Sequence, residues 1–140
     1  MINADVQVRI LGTQHDLSDE QMETICTGRY KKMNGKHVVI YDEFFEEENG
    51  QAARNTNILK VSDGFISIKK SGAITTTMEF EEGKNTFTIY KTPYGTFDMM
   101  IHTNSLKIKE DTDRLTLYID YSLSLNGQQV SECSISIFIN

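Results

Sequence analysis

At 140 residues, with a formal net charge of −6, 39% hydrophobic and 24% charged residues, the chain is sized for a single domain over residues 1–140 and is too apolar to read as disordered. The acidity argues against nucleic-acid binding, whose affinity rests on Lys and Arg neutralising phosphates, and the pairs Lys31-Lys32 and Lys69-Lys70 are too short to reverse it. No run reaches the roughly 18 apolar residues of a membrane span, and "MINADVQVRI" lacks both the basic and the apolar part of a signal peptide, so no membrane is expected and the expected location is the cytoplasm.

Val6, Val8 and Ile10 alternate with polar residues, the period of a half-buried strand over residues 3–12. The next run admits two readings. In "LSDEQMETIC" Ser18 can cap a helix with Gln21 as its capping-box partner, whereas continuation into "TGRYKKMNGK" makes a strand over residues 21–32 and then a hairpin. The strand is the expected reading. It places Cys26 on the face of Met22, Thr24 and Tyr30 as a packed thiol. With Cys133 far away in sequence and no zinc spacing, both cysteines are expected buried and free.

Residues 36–46 form the third expected strand, in which "VVIY" at 38–41 is apolar on both faces and calls for a cover on its outer side. If Val39 and Tyr41 point inward, so does Glu43, and an inward carboxylate needs a partner, for which Arg29 or Arg54 is the candidate. The carboxylates Glu46, Glu47 and Glu48 read as a solvated hairpin. Strands follow over 52–62, 64–70, 73–81 and 85–92, the third of these carrying Ile74, Thr76, Met78 and Phe80 on one face.

The lone proline, Pro93, sits in Thr92-Pro93-Tyr94-Gly95, a turn with proline second and glycine fourth. Tyr94 beside it is expected to fold back over the barrel end; its functional reading is a gate or docking anchor at the barrel mouth. The run 95–109, with Phe97, Met99 and Ile101 on one face, is long for one strand and is expected to bend near Thr103 to Ser105. Strands over 113–125 and 128–139 complete the chain, the former with Leu115, Leu117, Ile119, Tyr121, Leu123 and Leu125 all on one face.

Asn-Gly, Asp-Gly and similar pairs separate these runs at Gly35, Gly50, Gly64, Gly72, Gly83, Gly95 and Gly127, the punctuation of an antiparallel meander. A flat meander leaves two exposed edges, and closure removes them. The expected fold is therefore all-β, an antiparallel up-and-down barrel of eight to ten strands.

The order of "GRYKKMNGKHVVIYDE", "VSDGFISIKKSGAITTTMEFEEGK", "YKTPYGTFDM" and "YSLSLNGQQVSECSISI" resembles the YwiB-like family of small bacterial proteins, a domain of unknown function. The resemblance runs from about Val6 to Ile139. Its most specific pieces are Tyr41-Asp42-Glu43, Gly72-Ala73 with Met78 to Gly83, and Thr92 to Gly95; Ser71 departs from it, standing where the family usually has lysine. It implies a calycin-like barrel, similar to lipocalins and fatty-acid-binding proteins. A shared fold does not transfer a function.

No phosphate-loop, hydrolase-elbow, zincin or CxxC motif occurs, and His15, His37 and His102 have no ligand spacing. No catalytic residue, metal or cofactor is expected, and the chain is not expected to be an enzyme. The informative set is an interior of Tyr41, Glu43, Thr76, Met78, Phe80, Phe97, Met99 and Tyr121, mainly apolar with a few polar points, which suits a small apolar ligand. The alternative is a filled barrel acting through its outer face as an interaction or structural module, for instance as a homodimer.

Overall fold

The computed structural model describes residues 4–15, 21–46 and 50–140. The strands are β1 (Asp5–Gln14), β2 (Met22–Met33), β3 (Lys36–Glu46), β4 (Ala52–Ser62), β5 (Phe65–Gly72), β6 (Thr76–Phe80), β7 (Asn85–Thr92), β8 (Gly95–Glu110), β9 (Leu115–Leu125) and β10 (Gln128–Ile139). The described residues hold no helix, and none therefore long and apolar enough to cross a membrane. Of the two readings of "LSDEQMETIC", Met22 to Cys26 are strand; Ser18 and its neighbours lie outside the described residues, as do Glu47 and Glu48.

One ten-stranded antiparallel sheet runs in the order β6-β5-β4-β3-β2-β1-β10-β9-β8-β7. Every strand pairs with its sequence neighbour except β6 with β7, and β1 closes on β10 with Val8 opposite Ile139 and Gln14 opposite Cys133. The result is an up-and-down barrel with a single seam. At the seam one two-way bridge joins Thr75 to Lys91, at 2.9 and 3.0 Å, and Thr86 Oγ1 donates to the Glu79 carbonyl at 2.7 Å. The barrel is thus nearly closed.

Turn chemistry sets the register. Asn34-Gly35 and Asn126-Gly127 both have two consecutive positive φ angles, at 52° and 76° and at 50° and 82°, the tight hairpin geometry that Asn-Gly supplies. Pro93 and Tyr94 form the two-residue turn between β7 and β8, where Thr92 Oγ1 accepts from the Tyr94 amide at 3.1 Å. Tyr94 is 75% exposed, so it does not fold back over the barrel end. The β8 bend falls where expected, as a bulge between Thr103 and Ser105. A second bulge, between Gln129 and Ser131 in β10, leaves Val130 exposed and turns Ser131 inward.

β6 begins at Thr76, three residues later than its sequence pattern suggests. Gly72, the last residue of β5, adopts φ 141°, and Asn55 Oδ1 accepts the Ile74 amide at 3.0 Å, which holds residues 73–74 as a bend rather than strand.

The core is unevenly distributed along the barrel axis. Near the end that carries the turns at 34–35, 63–64, 81–84 and 111–114, Val39, Leu59, Val61, Ile66, Phe80, Leu115 and Leu117 are almost wholly buried and fill the interior. We call this the packed end. The opposite end carries the turns at 93–94 and 126–127.

Candidate functional site

Inward-facing positions follow from alternation, and the ladder pairings bring them into rows. Tyr41 on β3 lies opposite Asn57 on β4, which lies opposite Lys70 on β5, which lies opposite Thr76 on β6. One step nearer the end opposite the packed one, Glu43 faces Asn55. This quarter of the wall is polar because each of those strands continues its inward period past the last aliphatic residue: Val39 is followed by Tyr41 and Glu43, Ile68 by Lys70. Across the barrel, β8, β9 and β10 present Met99, Leu123, Leu125, Ile135 and Ile137.

Between these walls lies a cavity of about 430 Å³. Tyr41, Tyr90 and Tyr121 bring three hydroxyls to it, and its rim includes Gln14 and Val130, both exposed. Met78 on β6 and Tyr90 on β7 line it from the two sides of the seam. An apolar surface with a few fixed polar groups is the usual make-up of a small-molecule site.

Glu43 Oε1 accepts from Asn57 Nδ2 at 3.3 Å and lies 3.5 Å from Lys70 Nζ. Glu43 and Lys70 are the charged side chains of the cavity wall among the described residues. The partner of Glu43 is therefore lysine, not Arg29 or Arg54. Both arginines are exposed, because their strand positions place them on the outward face, Arg54 opposite Phe44 and Arg29 opposite Ile40. Lys70 was legible as inward from Ile66 and Ile68, four and two residues before it. Its membership in a basic pair concealed this.

Of the other expected lining residues, Tyr41, Glu43, Met78, Met99 and Tyr121 border the cavity. Phe80 and Thr76 do not. Phe80 is fully buried toward the packed end, with its ring 5.2 Å from that of Tyr121 and edge-on to it, and Thr76 is buried in the wall. Phe97 is half-buried near the β7–β8 turn and lies outside the lining. Thr24, Gln14, Tyr90 and the β9–β10 aliphatics complete the set that residue type alone did not single out.

Burial raises the Tyr41 hydroxyl from its ordinary 10.0 to about 12, against a hydrogen bond from Asn57 that lowers it and with nearby Glu43 adding to the rise. Tyr121 is raised further, chiefly by burial and then by Cys133 beside it. Both are neutral hydrogen-bonding groups at physiological pH. Three polar atoms behind this wall, Asn55 Nδ2, Asn57 Oδ1 and Thr76 Oγ1, are buried without a protein partner. Such groups are costly unless something completes them.

Cys26 and Cys133 are both free; Cys133 is buried, but Cys26 is half-buried, and burial followed by Glu43 and Asp42 holds its thiol above the ordinary 9.0. Neither sits in the electropositive setting of a reactive thiolate. Outside the barrel, His15 Nε2 lies 2.7 Å from Ser134 Oγ, whose proton goes to Asp120. The serine stands between acid and histidine, the wrong order for activating a nucleophile. Among the described residues no three His, Cys, Asp or Glu side chains gather as metal ligands.

The fold has a solved counterpart. The crystal structure of the ywiB protein from Bacillus subtilis superposes with a TM-score of 0.74 at 24% identity, over 97% of this chain and 89% of that one. In sequence, this chain is 26% identical over 116 residues to the Uncharacterized beta-barrel protein YwiB of Bacillus subtilis (strain 168), covering 83% of this chain and 78% of that protein. The pattern described as Domain of unknown function (DUF1934) matches residues 6–137. Since that match runs from the first strand of the barrel into the last, the chain belongs to the DUF1934 family.

Proposed function

We propose that the protein is a calycin-like binding protein, rather than an enzyme, that takes a small, largely apolar ligand into the open half of its barrel. The observation that carries this reading is the cavity of about 430 Å³, bounded by aliphatic β8–β10 side chains on one side and by Tyr41, Glu43 and Lys70 on the other. Apolar burial would supply affinity, and the polar wall would orient a head group. The uneven core supports it, since a barrel that needed only to be stable would continue its packing to both ends. A cytoplasmic setting belongs to the same reading, supported by two free thiols.

Saturable one-to-one uptake of the neutral dye Nile red, with enhanced fluorescence, tests it. Met99→Trp should fill the cavity and weaken uptake at least tenfold with an unchanged circular dichroism spectrum. Absence of saturable uptake by the native protein overturns the reading.

A second reading has its own support on the outer face. Ile40 is 46% exposed and Phe44 70% exposed on the outer side of β3, the strand whose double-faced apolar run calls for a cover. In that reading two copies associate through this face. Light scattering after size exclusion should then give a dimer that Ile40→Glu makes monomeric.

A further inference from the structure

The ligand's head group can be narrowed further, on the footing of the cavity reading above. The cavity wall carries one formal negative charge, Glu43, and one formal positive charge, Lys70, 3.5 Å apart. Their side chains are 24% and 23% exposed, half the exposure of the surface pair Arg9 and Glu23 at 46% and 45%. Water therefore screens them less than a surface pair.

Each partner keeps bonding capacity. The described contacts of Glu43 use one oxygen, Oε1, for both Asn57 and Lys70, and Lys70 donates to that oxygen alone. Oε2 and the remaining ammonium hydrogens are thus available beside each other at one level of the wall. A head that both donates and accepts, such as a hydroxyl, a carboxamide or a zwitterion, completes both at once. An anionic head gains Lys70 but meets Glu43, and a cationic head gains Glu43 but meets Lys70. In either case the like charge offsets the gain, and the ligand's own desolvation is left uncompensated.

We infer that the cavity selects amphiphiles with electrically neutral, hydrogen-bonding heads and discriminates against free fatty acids and alkylammonium ions. The neutral pair at the wall acts as a two-sided charge filter. Removing either charge would leave the wall with the sign of the other.

Displacement of bound Nile red by four probes with the same tail tests this: octan-1-ol, octanamide, octanoate and octylammonium. The native protein should release the dye to octan-1-ol and octanamide at concentrations at least tenfold lower than to the two ions. Glu43→Gln leaves Lys70 uncompensated and should make octanoate the strongest competitor, and Lys70→Gln should do the same for octylammonium. The double exchange of Glu43→Lys with Lys70→Glu restores a neutral wall and should restore the neutral preference, which separates charge from any change in packing. Equal displacement by all four probes, or an order that neither single variant alters, overturns the charge filter while dye uptake still upholds the cavity. No dye uptake at all removes both.

Discussion

Tyr30 Oη lies 2.6 Å from His37 Nδ1 at the packed end, and His37 Nε2 faces Glu110 Oε1 at 3.4 Å. Because β3 and β8 are not neighbours in the sheet, this contact spans the packed end of the barrel, with Glu110 half exposed, rather than running along its wall. Desolvation raises the Glu110 carboxyl, but the charges of His37 and Lys32 outweigh it and hold the group below its ordinary 4.5. A depressed carboxyl contributes stability above its unfolded value and loses it as the pH falls through the lowered one. Urea midpoints of the native protein and of Glu110→Gln should therefore differ at pH 7 and converge as the pH falls below the ordinary carboxyl range. A gap that persists undiminished in acid would assign the difference to packing instead.

Tyr41 behaves in the opposite sense. Its hydroxyl is raised from 10.0 to about 12, so the stability it contributes is complete below pH 10 and is lost as the pH rises toward 12. A shift of that size corresponds to roughly 3 kcal/mol. Ultraviolet titration of the six tyrosines should show a late step accompanied by unfolding, and Tyr41→Phe should shrink it.

Gly72 tolerates no side chain. A Cβ there would lie 2.3 Å from the Arg54 carbonyl oxygen and 2.8 Å from Asn55 Oδ1, at a φ of 141° that L residues rarely adopt. Gly72→Ala should cost about 2–4 kcal/mol, combining backbone strain with displacement of the Asn55 side chain that holds the Ile74 amide. Chemical denaturation measures it; Gly35→Ala, where nothing lies within 4 Å of the new Cβ, separates clash from φ strain.

Phe80 and Met78, two residues apart on β6, stand on either side of the boundary between packed and hollow interior. Phe80→Ala removes a fully buried ring in contact with Tyr121 and should cost about 3–5 kcal/mol. Met78→Ala enlarges a space that already exists and should cost less than about 2 kcal/mol, since fewer contacts are lost. Equal costs would mean that the cavity closes in solution.

Much of this barrel is determined locally. Period-two alternation decides which side chains face inward, and Asn-Gly pairs at 34–35 and 126–127 decide where the chain reverses, so ten antiparallel strands follow from residues that are neighbours in sequence. Pro93 in its turn and the bend at Thr103 to Ser105 belong to the same class. What tertiary structure alone decided is which inward residues meet. Alternation places Glu43, Lys70, Phe80 and Phe97 all on inner faces, but their height along the axis depends on register and barrel stagger. Those put Phe80 in the packed half, Phe97 beyond the lining, and Lys70 rather than either arginine against Glu43. The seam between β6 and β7 is also tertiary. Closing β1 on β10 requires eight other ladders to share one curvature, and the hairpin carrying the shortest strand, β6, is where the ladder opens.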